Sequence, residues 1–293
     1  MSEETGETRA PAGWAISSSF GRNRTAVAGV IVLTLYFLAA VFAAQIAPRD
    51  PQKISRESFR PPSAEFLFGT DDLGRDIFSG VLHGARVSLL MGFTVALLSV
   101  LIGVLIGSAA GYAGGFTDDL LMRLTELFLI PPRFFLALVV AALFGSNYFN
   151  LGLVFVVTYW PSTARLVRAE VLSIRERDYV EAARALGATH ARVLYHEILP
   201  NASPLIVTNF VMTVGMVVLV EAGLSFIGLG DSSRMSWGYM LHNGEHFMRD
   251  AWWMVFFPAL AISVLVLALN AVGDALNRAL DPKSRIGHLD KPV

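Results

Sequence analysis

Charged side chains are spaced so widely along this chain that the gaps between them define its elements. Thr25 to Pro48, between Arg24 and Arg49, holds no charge, and neither does Val87 to Thr117, between Arg86 and Asp118. A third apolar stretch begins near Leu120, contains Arg123, Glu126 and Arg133, and then runs uncharged to Ala164. It is too long for one helix, and GSNYFN at 145–150 supplies turn chemistry that divides it in two. Ile198 to Val220 and Ala251 to Gly273 complete the set. A helix crosses a bilayer core with roughly 20 apolar residues. The pattern therefore predicts an all-α polytopic membrane protein with six transmembrane helices.

Composition agrees. Of 293 residues 54% are hydrophobic and 16% charged, and mean hydropathy is +0.54. A net charge of −1 argues against a nucleic-acid partner, which needs a basic excess to neutralise phosphates. The chain has no cysteine, so disulfides, thiolate metal sites and cysteine nucleophiles are excluded. The first window is too long for a signal-peptide core and lacks a small-x-small cleavage site, so it reads as an uncleaved anchor. Six spans put both termini on one side, with the turn at 118–123 and the loop at 165–202. That side carries 14 Lys and Arg against 8 on the other, and the positive-inside rule makes it the cytoplasm.

The longest polar interruption in the second half is DYVEAARALGATHARVLYHEILPN, 178–201. Asp178 and Glu181 have capping-box spacing. Tyr179, Ala182, Ala183 and Leu186 make one apolar face, and Gly187 suits the left-handed position that stops a helix. Ala191, Leu194, Tyr195 and Ile198 repeat the face in a second short helix, which Pro200 follows. Such a hairpin is either a lid packed beneath the membrane domain or a docking element for a soluble partner.

The residues EAARALG, then nine positions, then EILP and Asn201 resemble the cytoplasmic EAA loop of ABC-importer permeases. GTDDLGRDIFSGVLHGARVSLLMG (69–92), EAGLSFIGLG (221–230), SWGYML (236–241), WWMVFFPALAI (252–262) and LNAVGDALNRALDP (269–282) resemble, in order, segments of the dipeptide/oligopeptide/nickel group. RNRTAVAGVIVLTLYFLAAVFAAQIAP is similar to the extra first span of its C-type subunit. The resemblance implies that the last five spans form a type I ABC-importer permease core. It implies a cytoplasmic tail 1–25, an anchor helix 26–48, an external loop 49–85, a core 86–275 carrying its EAA loop at 166–202, and a cytoplasmic tail 276–293. It also implies three kinds of partner: a second homologous permease forming a heterodimer, two cytoplasmic ATPase subunits, and an extracytoplasmic substrate-binding protein. Membrane lipid surrounds the chain, and localisation is the cell inner membrane. Asp178, Glu181, Ala182, Ala183, Gly187, Ile198, Leu199 and Pro200 would couple the permease to the ATPase. Peptides are the cargo class implied, with nickel or another small solute as the alternative. Two departures bear on cargo. Phe66-Leu67-Phe68 stands where relatives often have a histidine, and Arg133 follows Pro131-Pro132 where many are apolar.

No ATPase activity is expected of the chain, and so no cofactor of its own. Its three lysines, Lys53, Lys283 and Lys291, lack a phosphate-loop setting, and the resemblance implies that ATP and Mg²⁺ are bound by partner subunits. All six histidines fall in loops or tails, against an intramembrane hydrolase. An ion-driven carrier would want carboxylates at depth, where Glu126, Glu221 and Asp274 are the candidates, each near a span end. Glu221 reads as a hydrogen-bonded structural carboxylate. Gly103 and Gly107 have the spacing of close helix packing, within the bundle or against a partner permease. Trp252-Trp253 suits an interfacial belt. Arg133, about 20 Å along a continuous third span at ~1.5 Å per residue, would snorkel, pair with an acid, or line the substrate path.

Overall fold

The computed structural model describes residues 23–280; 1–22 and 281–293 lie outside them, and with these most of the two expected tails. Helix α1 is Arg24–Val41, α2 Ile77–Ala113, α3 Gly115–Leu129, α4 Arg133–Phe144 and α5 Tyr148–Arg175. The hairpin helix α6 is Asp178–Ala185, α7 is Leu199–Leu224, α8 Trp237–Glu245 and α9 Trp253–Leu280. Asn23 caps α1 by accepting from the N–H groups of Thr25 and Ala26. Arg86 closes the other end of α1, donating to the Ala40 carbonyl at 2.6 Å and the Val41 carbonyl at 3.0 Å, which a helix C-terminus leaves without partners. Tyr36 of α1 donates to the Ala261 carbonyl of α9 at 2.8 Å, so the anchor is tied to the bundle.

Among the described residues four helical segments are long and apolar enough to cross a membrane, and the bent pair α3–α4 would make a fifth. The remaining expected span, α5, has 28 residues and is about 42 Å long, so length does not limit it. Its middle reads Thr158-Tyr159-Trp160-Pro161-Ser162-Thr163, too polar for a lipid-facing helix. Burial accounts for that composition. Val154, Phe155, Thr158, Tyr159, Trp160, Thr163, Ala164, Val167 and Val171 are all buried, so protein rather than lipid selects these side chains.

The third span is not continuous. α3 and α4 meet at 68°, because neither Pro131 nor Pro132 can donate a backbone N–H to the preceding turn. The expected turn at 118–123 also moves. Gly114, with φ of 67°, makes the reversal, and Asp118 lies in the first turn of α3. By contrast 145–150 is a turn as read. Gly145 has φ of 85°, and Asn147 caps α5 by accepting from the Asn150 N–H at 2.8 Å.

Outside the bundle, the GTDDLGRD stretch is a folded knot. Asp71 accepts from the Leu73 and Arg75 N–H groups at 2.9 and 2.8 Å and from Arg75 Nε at 2.5 Å. Burial nevertheless pushes its carboxyl above the ordinary range, against the pull of Arg75. Asp76 caps α2 through the Ser79 N–H at 2.8 Å, and Trp253 Nε1 donates to the Thr70 carbonyl at 3.0 Å. Phe68, from the Phe66-Leu67-Phe68 stretch, stacks on Phe257 with ring centres 3.9 Å apart.

Candidate functional site

The polar hairpin forms, with altered caps and a second, inward face beside the apolar one read from the sequence. Arg177, not Asp178, is the N-cap residue of α6, and no side chain caps it. The capping box is therefore absent. Asp178 and Glu181 instead sit exposed in the first turn, where negative charge suits the helix dipole. At the other end the motif is complete. Gly187, φ 82°, donates to the Arg184 carbonyl at 2.9 Å and Ala188 to the Ala183 carbonyl at 3.1 Å, the two bonds of a Schellman stop.

The second arm does not end at Pro200. Thr189 caps it by accepting from the Arg192 N–H at 3.3 Å, and the helix runs on through a π-helical turn, Val193–Ile198, into α7. Pro200 lacks the N–H that would continue the ladder, and the widened turn accommodates it. Leu199 donates to the Leu194 carbonyl, and Asn201 Nδ2 reaches the Glu197 carbonyl at 2.5 Å.

Two faces result. Val180, Val193 and Ile198 are fully buried against Val167, Val171 and Ile174 of α5 and Ala202 of α7, with Val104 and Tyr112 of α2 alongside. The other face leaves Tyr179 38%, Tyr195 60% and Leu186 90% exposed. Ala182, Gly187 and Pro200 are exposed, while Ala183 and Leu199 are half-buried. Val180 lies off the stripe read for α6, where Tyr179 and Leu186 face outward, and Val193 joins Ile198 of the second arm's stripe on the inward side, while Tyr195 of that stripe faces out. Only the packing of α5 identifies the inward face. Tyr112 Oη lies 2.9 Å from His190 Nδ1, and Arg175 Nη1 donates to the Gly111 carbonyl at 2.9 Å, so polar bonds hold the same joint. Arg168 grips Asp118 with both arms of its guanidinium, at 2.5 and 2.6 Å, fastening α3 to α5.

The glycine ridge of α2 explains how close α5 comes. A Cβ on Gly103 would lie 2.6 Å from Thr163 Cβ, one on Gly111 2.8 Å from the Arg168 carbonyl, and one on Gly107 would strike the Ala164 carbonyl. The small-residue spacing thus serves packing inside the bundle.

Arg133 is not brought to the hairpin. It opens α4 just after the bend, half-buried, donating to Ser162 Oγ at 2.9 Å with its guanidinium carbon 4.6 Å from the Tyr159 ring centre. It has no acidic partner among the described residues, which removes the buried ion pair from its three readings. Glu221 is buried and accepts from Ser225 Oγ at 2.8 Å and Ser236 Oγ at 2.9 Å, as a structural carboxylate would. In the loop between α7 and α8 Asp231 would be raised by burial, but bonds from Ser233 and the Tyr148 N–H hold it below the ordinary range.

Residues 103–286 match the family described as binding-protein-dependent transport system inner membrane component, and 15–62 match the N-terminal TM domain of oligopeptide transport permease C. The chain is 41% identical over 272 residues to the dipeptide transport system permease of Escherichia coli K12, covering 90% of this chain and 91% of the other. It is 37% identical over 268 residues to the oligopeptide transport system permease of Bacillus subtilis 168, covering 91% and 88%. Its fold is similar to a chain of the MetNI methionine ABC transporter in an inward-facing form. That match has a TM-score of 0.58 and 20% identity, over 70% of this chain and 98% of that one.

Proposed function

This chain belongs to the family of inner-membrane components of binding-protein-dependent transport systems, and from that premise we propose that it forms half of a translocation pathway for di- and oligopeptides. It is a permease subunit of an ATP-driven importer, whose ATPase activity lies in separate subunits. The hairpin carries the rest of the reading. Its buried face is keyed to α2, α5 and α7 through Val180, Val193 and Ile198, so a push on its exposed face moves three helices at once. Tyr179, Leu186 and Tyr195 then form the surface that an ATPase subunit grips, with Asp178, Glu181 and Gly187 setting the geometry of the grip. ATP and Mg²⁺ bind in that partner. A second permease completes the pathway as a heterodimer. Peptide cargo follows from the names of the relatives.

The test is uptake by proteoliposomes holding the permease pair, the ATPases and the binding protein. Dipeptide uptake should require ATP and survive collapse of the proton gradient. Nickel uptake without peptide uptake would overturn the cargo assignment.

The Lys and Arg excess on the side of both termini supports a cytoplasmic position for them. Single cysteines at Ser63 and Ser233 should react with an impermeant thiol reagent from outside, and one at Ser284 only after permeabilisation. Labelling in the opposite sense reverses the orientation.

Arg133 is assigned to the pathway, at the bend between α3 and α4. Its guanidinium keeps donors free beyond the bond to Ser162, and a cargo carboxylate would occupy them. Arg133→Leu should leave assembly and basal ATP hydrolysis intact and lower dipeptide uptake roughly tenfold, the effect of one charge-assisted hydrogen bond. Unchanged uptake would confine Arg133 to holding α4 on α5.

A further inference from the structure

Between α3 and the inner half of α5 lies an open cavity of about 750 Å³ lined by Asp119, Met122, Arg123, Glu126, Arg165 and Arg168, with Ala169 at its wall. Arg168 is already held by Asp118. Arg123, Glu126 and Arg165 make no hydrogen bond or ion pair among the described residues, and Asp119 does no more than add its charge beside Arg168. Two cations and two anions therefore face one space without pairing. Charges within a membrane bundle are costly unless a wet cavity or a partner receives them. Asp119, Arg123, Glu126 and Arg165 are all exposed to this space. Phe116, Leu120, Leu124 and Leu127 make a separate exposed apolar stripe, while Asp119, Arg123 and Glu126 line up on its flank.

We propose that this cavity is a subsite for a zwitterion on its way to the cytoplasm, an inference that rests on the transport reading above. Arg123 and Arg165 receive the carboxylate, and Glu126 with Asp119 receives the ammonium group. The volume falls in the range of small-molecule sites, roughly 300–1,000 Å³. Because both signs are present, a cargo whose two ends are both charged is matched better than one with either end blocked.

The chain has no cysteine, so Ala169→Cys places one thiol of this subunit in the cavity wall. Its labelling by a small thiol reagent is measured by subunit mass in the purified, nucleotide-free complex reconstituted into liposomes with and without phosphatidylethanolamine. Millimolar alanyl-alanine should slow labelling several-fold, and its N-acetylated, C-amidated form should not. Equal protection by both forms, or by neither, overturns the proposal. So does protection that follows the phosphatidylethanolamine content of the liposomes rather than the dipeptide, which would assign the cavity to a lipid headgroup. In transport, Arg165→Gln and Glu126→Gln should each cut uptake of the zwitterion roughly tenfold, with binding-protein-stimulated ATP hydrolysis retained and Arg165→Lys largely restored. If both neutral variants fail to assemble, the charges belong to ion pairs with the second permease and the proposal falls. The labelling experiment needs no uptake. A wild-type complex that imports no dipeptide would sink the peptide reading alone.

Discussion

Gly187→Val is expected to abolish uptake while the permease remains in the membrane at its normal level. The backbone at 187 stands at φ 82°, a region that a β-branched residue enters only under strain. No neighbour lies within 4 Å of a Cβ built there, so crowding plays no part. The cost, on the order of 1–3 kcal/mol, falls on the local backbone. That is too little to unfold a membrane bundle but enough to break the paired bonds from Gly187 and Ala188 that end α6. Once they are lost, Leu186 and Tyr195 no longer hold a fixed relation, and the grip on the ATPase is lost. Uptake should fall at least tenfold and stimulated ATP hydrolysis with it. Gly187→Asn should keep most of both, since asparagine tolerates the left-handed region. Wild-type uptake in Gly187→Val would make the hairpin a lid.

Gly107→Val acts on the fold instead. A side chain at 107 meets the Ala164 carbonyl, which is backbone and cannot swing aside. Since Gly103 and Gly111 meet Thr163 and the Arg168 carbonyl in the same seam, the helices can yield only by separating along its length. Overpacking of this kind costs about 1–3 kcal/mol where a core can adjust, and more where backbone blocks it. The damage spreads, because α5 carries Val167, Val171 and Ile174, which seat the hairpin, and Arg168, which holds α3. Membrane yield should drop several-fold, and the Tm of the solubilised complex by several degrees, with Gly107→Ala intermediate. A normal Tm for Gly107→Val would mean that the seam is looser than its geometry states.

Much of this architecture could be read from one-dimensional pattern, because lipid imposes a demand that each segment meets by itself. Apolar length marks α1, α2, α7 and α9, and Gly145 with Asn147 marks the reversal between α4 and α5. The hairpin and its stop at Gly187 were legible for the same reason, since a positive φ and an i, i+3, i+4 face are local properties. The glycine spacing on α2 was visible too, although not the helix it accommodates.

What local pattern could not supply depends on neighbours. α5 falls short as a span in composition because protein surrounds it, and no count along the chain measures that. The sequence shows Tyr179 and Leu186 on one apolar face but not that Val180, on the other side of the same helix, packs with Val167 and Ile174, and only the neighbouring helix supplies that. Asp178 has cap chemistry, but capping depends on where the chain enters the helix, and that point is Arg177. Pro200 is a stop signal by propensity, overridden because a π-helical turn relieves it and Ile198 and Ala202 on either side are buried against α5. An unbroken third span would put Arg133 about 20 Å along the helix. The bend at Pro131-Pro132 set it against Ser162 and Tyr159 instead, and the packing of α3 and α5 set Arg123 and Glu126 opposite Arg165. Segment identity followed from solvent, which acts residue by residue. The direction each side chain faces followed from packing, which requires every helix to be in place.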